Sequence, residues 1–247
     1  CPKRPVPRMP KQGFPWKRWL GLHPYPVLGI DPSLKSPAAT VVNPKMRTIH
    51  SYFFSNRQYN PANVLVRIRR SRFPFSGWTW ELTSLMPRWN KYEASSRTER
   101  YLLVARKILA AIVPALRRPG ARLGIEYYAL GITASRDRTY TKQREGAVKL
   151  CEFGGLLRSL LRAQGFSAQE IPPLSAKKIF ARHGFAKKWD MIHAAEKYFG
   201  LPPIVKLLGQ GKIDSKDPPA GHDDIIDSLA IALSVLLYQR CGVPNAK

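Results

Sequence analysis

The sequence has few cysteines, few acidic residues and no long hydrophobic run. Its three cysteines, Cys1, Cys151 and Cys241, lie far apart in a chain of 247 residues. Without CxxC spacing they do not indicate a zinc site or a disulfide framework, so we expect an intracellular reducing compartment. A start at Cys1 rather than Met would fit a processed polypeptide, and processing would favour an organelle. No segment approaches the roughly 18 apolar residues that span a bilayer, so we expect no membrane partner.

The shortage of acids leaves the chain strongly basic. There are 41 Lys and Arg residues against 16 Asp and Glu, which gives a net charge of +25. Such an excess indicates a polyanionic partner, more often nucleic acid than a membrane surface. The apolar fraction of 44% is ordinary for a globular protein. The length suits one large domain with extensions.

Composition divides the chain into three parts. Residues 1–26 are rich in Pro, Lys, Arg and Trp and are predicted to form an extended basic arm. Residues 27–240 are predicted to form the folded domain, and 241–247 a tail. Within the domain, residues 56–93 are predicted to be an insertion, in which arginines and aromatic residues alternate: Arg67, Arg69, Arg70, Arg72, Phe73, Phe75, Trp78, Trp80 and Trp89.

That mixture has two interpretations, and both remain open. Cations attract phosphates and aromatic faces stack on bases, so Arg69, Arg70 and Arg72 are candidate nucleic-acid contacts. Alternatively, the aromatic residues pack into a local core. A second polar and basic stretch contains Arg136 and Arg138, which are also candidate phosphate contacts.

Periodicity predicts an α/β domain. Short β-prone runs over 27–31, 38–42 and 47–54 indicate an antiparallel meander. A helix is predicted over 96–116, with a capping box at Ser96 and Glu99 and a kink or end at Pro114. Further elements are predicted as helices over 147–161, 175–182, 187–199 and 223–240 and a strand over 168–171. The pair Gly154-Gly155 predicts close backbone packing of its helix.

Four acids occupy the ends of apolar elements. Asp31 ends the run 27–31, Glu126 ends a second apolar strand, and Asp224 and Asp227 share one face at the start of the last helix. An Asp that merely caps a turn is the competing explanation for Asp31. Grouped carboxylates repel one another unless a cation neutralises them, and oxygen ligands suit Mg²⁺, with Mn²⁺ as a substitute. Two such ions can support in-line phosphodiester displacement. We therefore predict these four residues as catalytic and metal-binding.

Four segments in order resemble the RuvC-like Holliday-junction resolvases of the RNase H-like superfamily, particularly phage, viral or organellar members. They are 28–33 (LGIDPS), 125–129 (IEYYA), 150–155 (LCEFGG) and 224–232 (DIIDSLAIA). A weaker match runs over 173–188, where Arg182 replaces the first Gly of the family's loop.

The resemblance implies a mixed five-stranded sheet flanked by helices and a homodimer that cleaves branched DNA. It implies catalysis by Asp31, Glu126, Asp224 and Asp227, and phosphate contacts from Lys177 and Lys188. It also makes the mitochondrial matrix or another nucleoid-associated site an expected location. Two alternatives stay open: a domain recruited as a non-catalytic RNA-binding or ribosome-associated factor, and a nuclease of RNA–DNA hybrids.

Overall fold

The computed structural model describes residues 20–21, 23–34, 36–54, 64–69, 75–86, 96–127, 138–208 and 221–238, without the side chains of 86, 138–146 and 238. Most of the predicted arm and the whole predicted tail lie outside this part. The described strands are β1 Val27–Asp31, β2 Ala38–Asn43, β3 Thr48–Phe54, β4 Val64–Arg67, β5 Thr79–Met86, β6 Arg122–Glu126 and β7 Gln169–Ile171. The described helices are α1 Arg97–Leu116, α2 Arg138–Ala163, α3 Pro173–Ala181, α4 Lys188–Phe199, α5 Ile204–Leu207 and α6 His222–Tyr238.

All seven described strands form one mixed sheet in the order β4-β5-β3-β2-β1-β6-β7. Strands β1, β2 and β3 form the predicted antiparallel meander. Strand β6 runs parallel to β1, and β7 runs parallel to β6. Helices cover both faces of this sheet. The predicted α/β class, a mixed sheet flanked by helices, is confirmed.

The sheet has two more strands than the five predicted, and both come from residues 56–93. Strand β5 pairs in parallel with β3, and β4 pairs antiparallel with β5 and forms the edge of the sheet. In β5, buried Trp80 and Leu82 alternate with more exposed neighbours, as expected for a strand with one face on the core. Trp78 and Phe75 are also buried. For these described aromatic residues the local-core interpretation is correct, while Phe73 and Trp89 lie outside the described residues.

The sheet separates two apolar cores. Leu28 and Ile30 of β1 point towards α1 and α2, where they join one core. The alternate residue Val27 points to the other face and joins the core that contains α3, α4 and α6. Because side chains alternate along a strand, Gly29 and Asp31 face α6 as well. The same alternation in β6 turns Glu126 towards α6.

Helix α1 has its predicted capping box and its predicted end, whereas α2 starts earlier than predicted. In α1, Ser96 and Glu99 each bond to the backbone of the other. Pro114 lies inside the last turn and does not end the helix, which continues to Leu116. Helix α2 begins at Arg138, nine residues before the predicted start at 147. The apolar face of α1 packs within its own chain, so its burial does not require a second copy. Among the described helices, none has the length and apolarity needed to cross a membrane.

Helix α6 lies directly on the backbone of β1 and β6. Gly29 and Gly124 are register partners on adjacent strands. A Cβ at Gly29 would overlap Ser228 O and Ala232 N, and one at Gly124 would lie 2.6 Å from Val235 Cγ2. Two neighbouring glycines therefore form a depression that accepts the helix.

The paired glycines of α2 do not play the predicted role. Among the described residues, a Cβ at Gly155 would meet nothing within 4 Å, and one at Gly154 would meet only Arg158 Nη2 at 3.9 Å. Within this part of the chain, the prediction of close backbone packing at the pair is wrong.

A chain of buried hydroxyl groups links α6 to the added strand β5. Thr40 Oγ1 lies 2.7 Å from Ser228 Oγ and 2.9 Å from Ser51 Oγ. Trp80 Nε1 donates to Ser51 Oγ at 3.1 Å, and Ser228 Oγ donates to Ile225 O. These groups satisfy one another in an otherwise apolar layer, which is required of buried polar atoms.

We predict that Gly29→Ala destabilises the protein through its contact with α6. The added methyl group meets backbone atoms, which cannot rotate away, so the loss should reach or exceed the ~1–3 kcal/mol typical of overpacked cores. Urea denaturation followed by circular dichroism measures it.

Gly155→Ala is the matched control. Its methyl group enters open space on a helix, and replacing Gly by Ala in a helix should raise stability by ~0.5–1 kcal/mol. Equal effects of the two substitutions would contradict the proposed contact.

Candidate active site

Two strand ends bring the first pair of carboxylates together. Strands β1 and β6 run parallel with Ile30 opposite Ile125, so Asp31 and Glu126 lie side by side at the carboxyl end of the sheet. Asp31 is only 3% exposed, while Glu126 is partly exposed. Their side chains form a hydrogen bond, which requires a shared proton because two ionised carboxylates have no donor between them.

The first turns of α6 supply the second pair. Gly221, in the left-handed conformation at φ 94°, precedes the helix. Asp224 accepts hydrogen bonds from the Gly221 backbone N–H at 3.2 Å and from the Ser36 hydroxyl. Ser33 also bonds to Asp224. These contacts fix Asp224, and Asp227 follows one turn later on the side of α6 that faces the sheet.

The four carboxylates act on one another electrostatically. Burial raises the pKa of Asp31 well above its ordinary value, and the charges of Glu126, Asp224 and Asp227 raise it further. Both effects favour the protonated form of the Asp31 carboxyl group. Asp31 thus lies within electrostatic reach of the other three predicted acids, although the four come from three elements that are far apart in sequence. We call the space among these four side chains the carboxylate pocket.

The pKa values of the helix acids rise for the same reasons. Burial, then the charge of Glu126, raises the pKa of Asp227 to about 8, although Lys177 opposes the rise. Burial, then the charge of Asp223, raises the pKa of Asp224 to about 6. Repulsion among buried carboxylates costs folding free energy, and a bound cation would relieve it.

The donor chemistry suits a hard divalent cation, but the side chains are not preset around one point. Asp31, Glu126, Asp224 and Asp227 offer only carboxylate oxygens, which Mg²⁺ and Mn²⁺ prefer. As the side chains stand, no group of three or more His, Cys, Asp or Glu in the described part of the chain is arranged to hold a metal ion. A cation would have to displace protons and draw the carboxylates together.

Two predicted lysines lie beside this pocket. Lys177 on α3 is close enough to lower the pKa of Asp227. Lys188 begins α4, and its Nζ lies 2.7 Å from Asp223 Oδ2. Asp223 is buried, and no described residue forms a hydrogen bond with its other oxygen, Oδ1. The lysines thus place positive charge at the pocket rim.

Among the described residues, none of the arginines predicted to contact nucleic acid is seen at the pocket. Arg69 is exposed and follows β4, which lies four strand positions from β1, or roughly 19 Å at the usual spacing. Arg70, Arg72 and Arg136 lie outside the described residues. Arg138 begins α2, but its side chain is among those not described.

Sequence reasoning missed the groups that position the acids. Ser33 and Ser36 lie in the turn after β1, where small hydroxyl residues are too common to be informative alone. Gly29 and Gly124 carried a usable signal, because glycine inside a buried strand often marks a close approach of another element. Tyr127, directly after Glu126, is exposed.

No protein-family model and no curated protein matches the chain. Solved structures do. Thermus thermophilus RuvC in complex with Holliday junction substrate is 17% identical, with 88% of this chain and 96% of that chain covered and a TM-score of 0.44. The yeast mitochondrial Holliday junction resolvase Ydc2 is 14% identical, with 91% and 84% covered and a TM-score of 0.42.

We predict that stability in the absence of divalent metal falls as pH rises. A raised folded-state pKa contributes stability that is complete below the unfolded value of 3.8 and is lost as pH rises through about 8, the pKa of Asp227. Asp227→Asn should therefore flatten the dependence between pH 5 and 7 by up to ~1.4 kcal/mol per pH unit, the slope for one proton. Chemical denaturation in EDTA at several pH values measures this.

Glu152→Gln is the matched control, since Glu152 is an exposed acid paired with Arg97 away from the pocket. Its unfolding free energy should follow the wild-type pH dependence. Parallel curves for all three proteins would contradict the shifted pKa of Asp227.

Proposed function

We propose that this chain is a divalent-metal-dependent, structure-selective endonuclease that cleaves branched DNA, as a RuvC-like Holliday junction resolvase. One observation carries the proposal: acids from β1, β6 and α6 lie close enough together that Glu126, Asp224 and Asp227 raise the pKa of the buried Asp31 carboxyl group. Burying such a cluster lowers the stability of the folded state, so folding by itself does not explain it. It becomes useful when cations are to be held next to a phosphodiester.

Different residues of the pocket have different proposed roles. Asp31, Glu126, Asp224 and Asp227 would hold two Mg²⁺ ions, with Mn²⁺ as a substitute. Cations bound there would supply an activated water and neutralise charge on the leaving oxygen. Ser36 and the Gly221 N–H keep Asp224 in its orientation through their hydrogen bonds.

Lys177 and Lys188 are proposed to bind the phosphate. They would contact oxygens of a strand that enters the carboxylate pocket. This is supported by the effect of Lys177 on the pKa of Asp227 and by the ion pair of Lys188 with Asp223. Lysine serves well as a point charge for phosphate oxygens. The net charge of +25 would add sequence-independent attraction to the rest of the strand.

The branched substrate, the homodimer and the location rest on the sequence resemblance. Four-way junctions have two symmetric strands, which suits a homodimer with one pocket per chain. A mitochondrial or other nucleoid-associated location is proposed on the same basis. Arg69, Arg70, Arg72, Arg136 and Arg138 are proposed to contact the arms of the substrate away from the pocket.

A second candidate function is a non-catalytic RNA-binding or ribosome-associated factor. The charge favours it, since +25 exceeds what a single scissile strand requires. The absence of a preset metal geometry among the described carboxylates is also compatible with it. Four retained acids favour the nuclease, because a scaffold protein gains nothing from their repulsion.

We expect Mg²⁺-dependent nicking of a four-way junction in preference to flap, RNA–DNA hybrid and linear duplex substrates. Asp31→Asn should lower the cleavage rate at least ~100-fold, the upper end of the loss for groups that merely support a metal ligand. Single-turnover cleavage on denaturing gels with Mg²⁺, Mn²⁺ or EDTA measures this.

Glu152→Gln again serves as the matched acid control and should cleave like the wild type. Full activity of Asp31→Asn would rule out the proposed site. A wild-type protein that binds structured RNA but cuts no substrate in either metal would favour the scaffold function. Preferential cutting of the hybrid would identify a ribonuclease H-type activity.

A further inference from the structure

The loop between α3 and α4 presents an aromatic side chain to solvent. Phe185 is 88% exposed, the highest value for a large hydrophobic side chain among the described residues. Leu174, at the start of α3, is 59% exposed. Single exposed hydrophobic residues are common and need no explanation by themselves. Phe185 differs from the other exposed hydrophobic residues because its loop is firmly anchored and carries positive charge.

The backbone around Phe185 is firmly held. Ala186, the next residue, is buried at 2% exposure. A Cβ at Gly184 would lie 3.2 Å from Leu174 O, so the loop sits tightly against the start of α3. Lys187 N–H donates to Asp190 Oδ2 at 2.8 Å. Phe185 is thus presented by a fixed loop, and its backbone needs little further ordering to bind a partner.

The other end of the loop is fixed by Arg182. This residue is in the left-handed conformation at φ 73°, and its guanidinium carbon lies 3.8 Å from the centre of the Tyr198 ring. A non-glycine residue in that conformation is uncommon and requires support from its surroundings. The cation–π contact supplies such support.

The charge around Phe185 selects the class of partner. Residues 173–189 contain five basic residues and no acidic residue. An exposed aromatic face among cations fits a nucleic-acid strand, whose phosphates pair with the cations while a base stacks on the ring. A protein partner would have to present an acidic surface around an apolar pocket. The nucleic acid is favoured because the same loop leads into Lys188 and the carboxylate pocket.

The number of residues between Phe185 and Lys188 limits the distance between them. Phe185 precedes Lys188 by three residues, so their Cα atoms are at most ~11 Å apart. Lys188 in turn reaches Asp223 of α6. At 3.4 Å per stacked nucleotide, this separation corresponds to about three nucleotides.

We propose that Phe185 stacks on an unpaired base within about three nucleotides of the phosphate bound at the carboxylate pocket. The loop then makes the protein selective for substrates whose bases unpair readily, as bases beside a branch point do and bases inside a linear duplex do not. The position of the strand rests on the proposed function. The stacking itself is a binding property and does not require catalysis.

The test measures binding without turnover. A four-way junction, in DNA and in a matching RNA, carries 2-aminopurine singly at each position within three nucleotides of the branch, and is titrated in Ca²⁺ with no Mg²⁺ or Mn²⁺. Phe185→Ala should weaken junction binding by ~5- to 100-fold, as for loss of one stacked base. It should also abolish the fluorescence change at the stacked position. Affinity for linear duplex should not change.

Two substitutions at the same position separate stacking from simple apolarity. Phe185→Trp should retain affinity and the fluorescence change, whereas Phe185→Leu should lose both. Leu65→Ala, on exposed β4 away from the pocket, is the matched control for loss of an exposed apolar side chain and should bind like the wild type. All variants replace exposed side chains, and thermal denaturation checks that they fold.

Each remaining outcome decides between the proposals. Wild-type affinity of Phe185→Ala, or full rescue by Phe185→Leu, would overturn the stacking proposal even if the wild type cleaves junctions. A change of oligomeric state of Phe185→Ala in sedimentation would assign the surface to a protein partner instead. Loss of stacking in Phe185→Ala, with no cleavage by the wild type in Mg²⁺ or Mn²⁺, would leave stacking supported and the nuclease proposal rejected. A wild type that binds neither junction would overturn the stacking proposal.

Discussion

The contact between α6 and the bare backbone of two neighbouring strands determines where the acids lie. Gly29 and Gly124 leave the surface of β1 and β6 without side chains at one level. The helix settles into that depression, which brings its first turns to the carboxyl end of the sheet. Asp224 and Asp227 thereby reach the side chains of Asp31 and Glu126. A bulkier pair of residues would hold the helix away and separate the two halves of the cluster.

Repulsion among the carboxylates opposes the packing of α6 on the sheet, which brings them together. Burial and mutual repulsion raise the pKa of Asp31 and of Asp227, so the folded chain retains protons there that the unfolded chain would release. Lys177 and Lys188 offset part of this repulsion from the rim. The pocket is therefore held together by the apolar packing of α6, and its charge is balanced by protons, lysines and any cation that enters.

The sequence predicted the elements whose patterns are local. Runs that end on Asp31 and Glu126, and the acids at the start of α6, were identified because strand ends and helix starts have recognisable residues. The added strands β4 and β5 were missed because residues 56–93 mix arginines with aromatic residues, a pattern that also suits a binding surface. Close packing was assigned to the adjacent pair Gly154-Gly155, whereas it occurs at Gly29 and Gly124. Those two glycines are distant in sequence, and only strand register makes them neighbours.

The buried hydroxyl chain ties the added strands to the rest of the domain. Trp80 of β5 donates to Ser51, which is joined through Thr40 to Ser228 of α6. A descendant that lost β4 and β5 would uncover Ser51 and leave its hydroxyl without the indole donor. Such a shortened chain would have to replace these hydroxyl residues with apolar ones at the same time. The hydrogen bonds of the buried hydroxyl groups thus oppose the loss of β4 and β5. Deleting these strands would require simultaneous substitution of the hydroxyl residues that they cover.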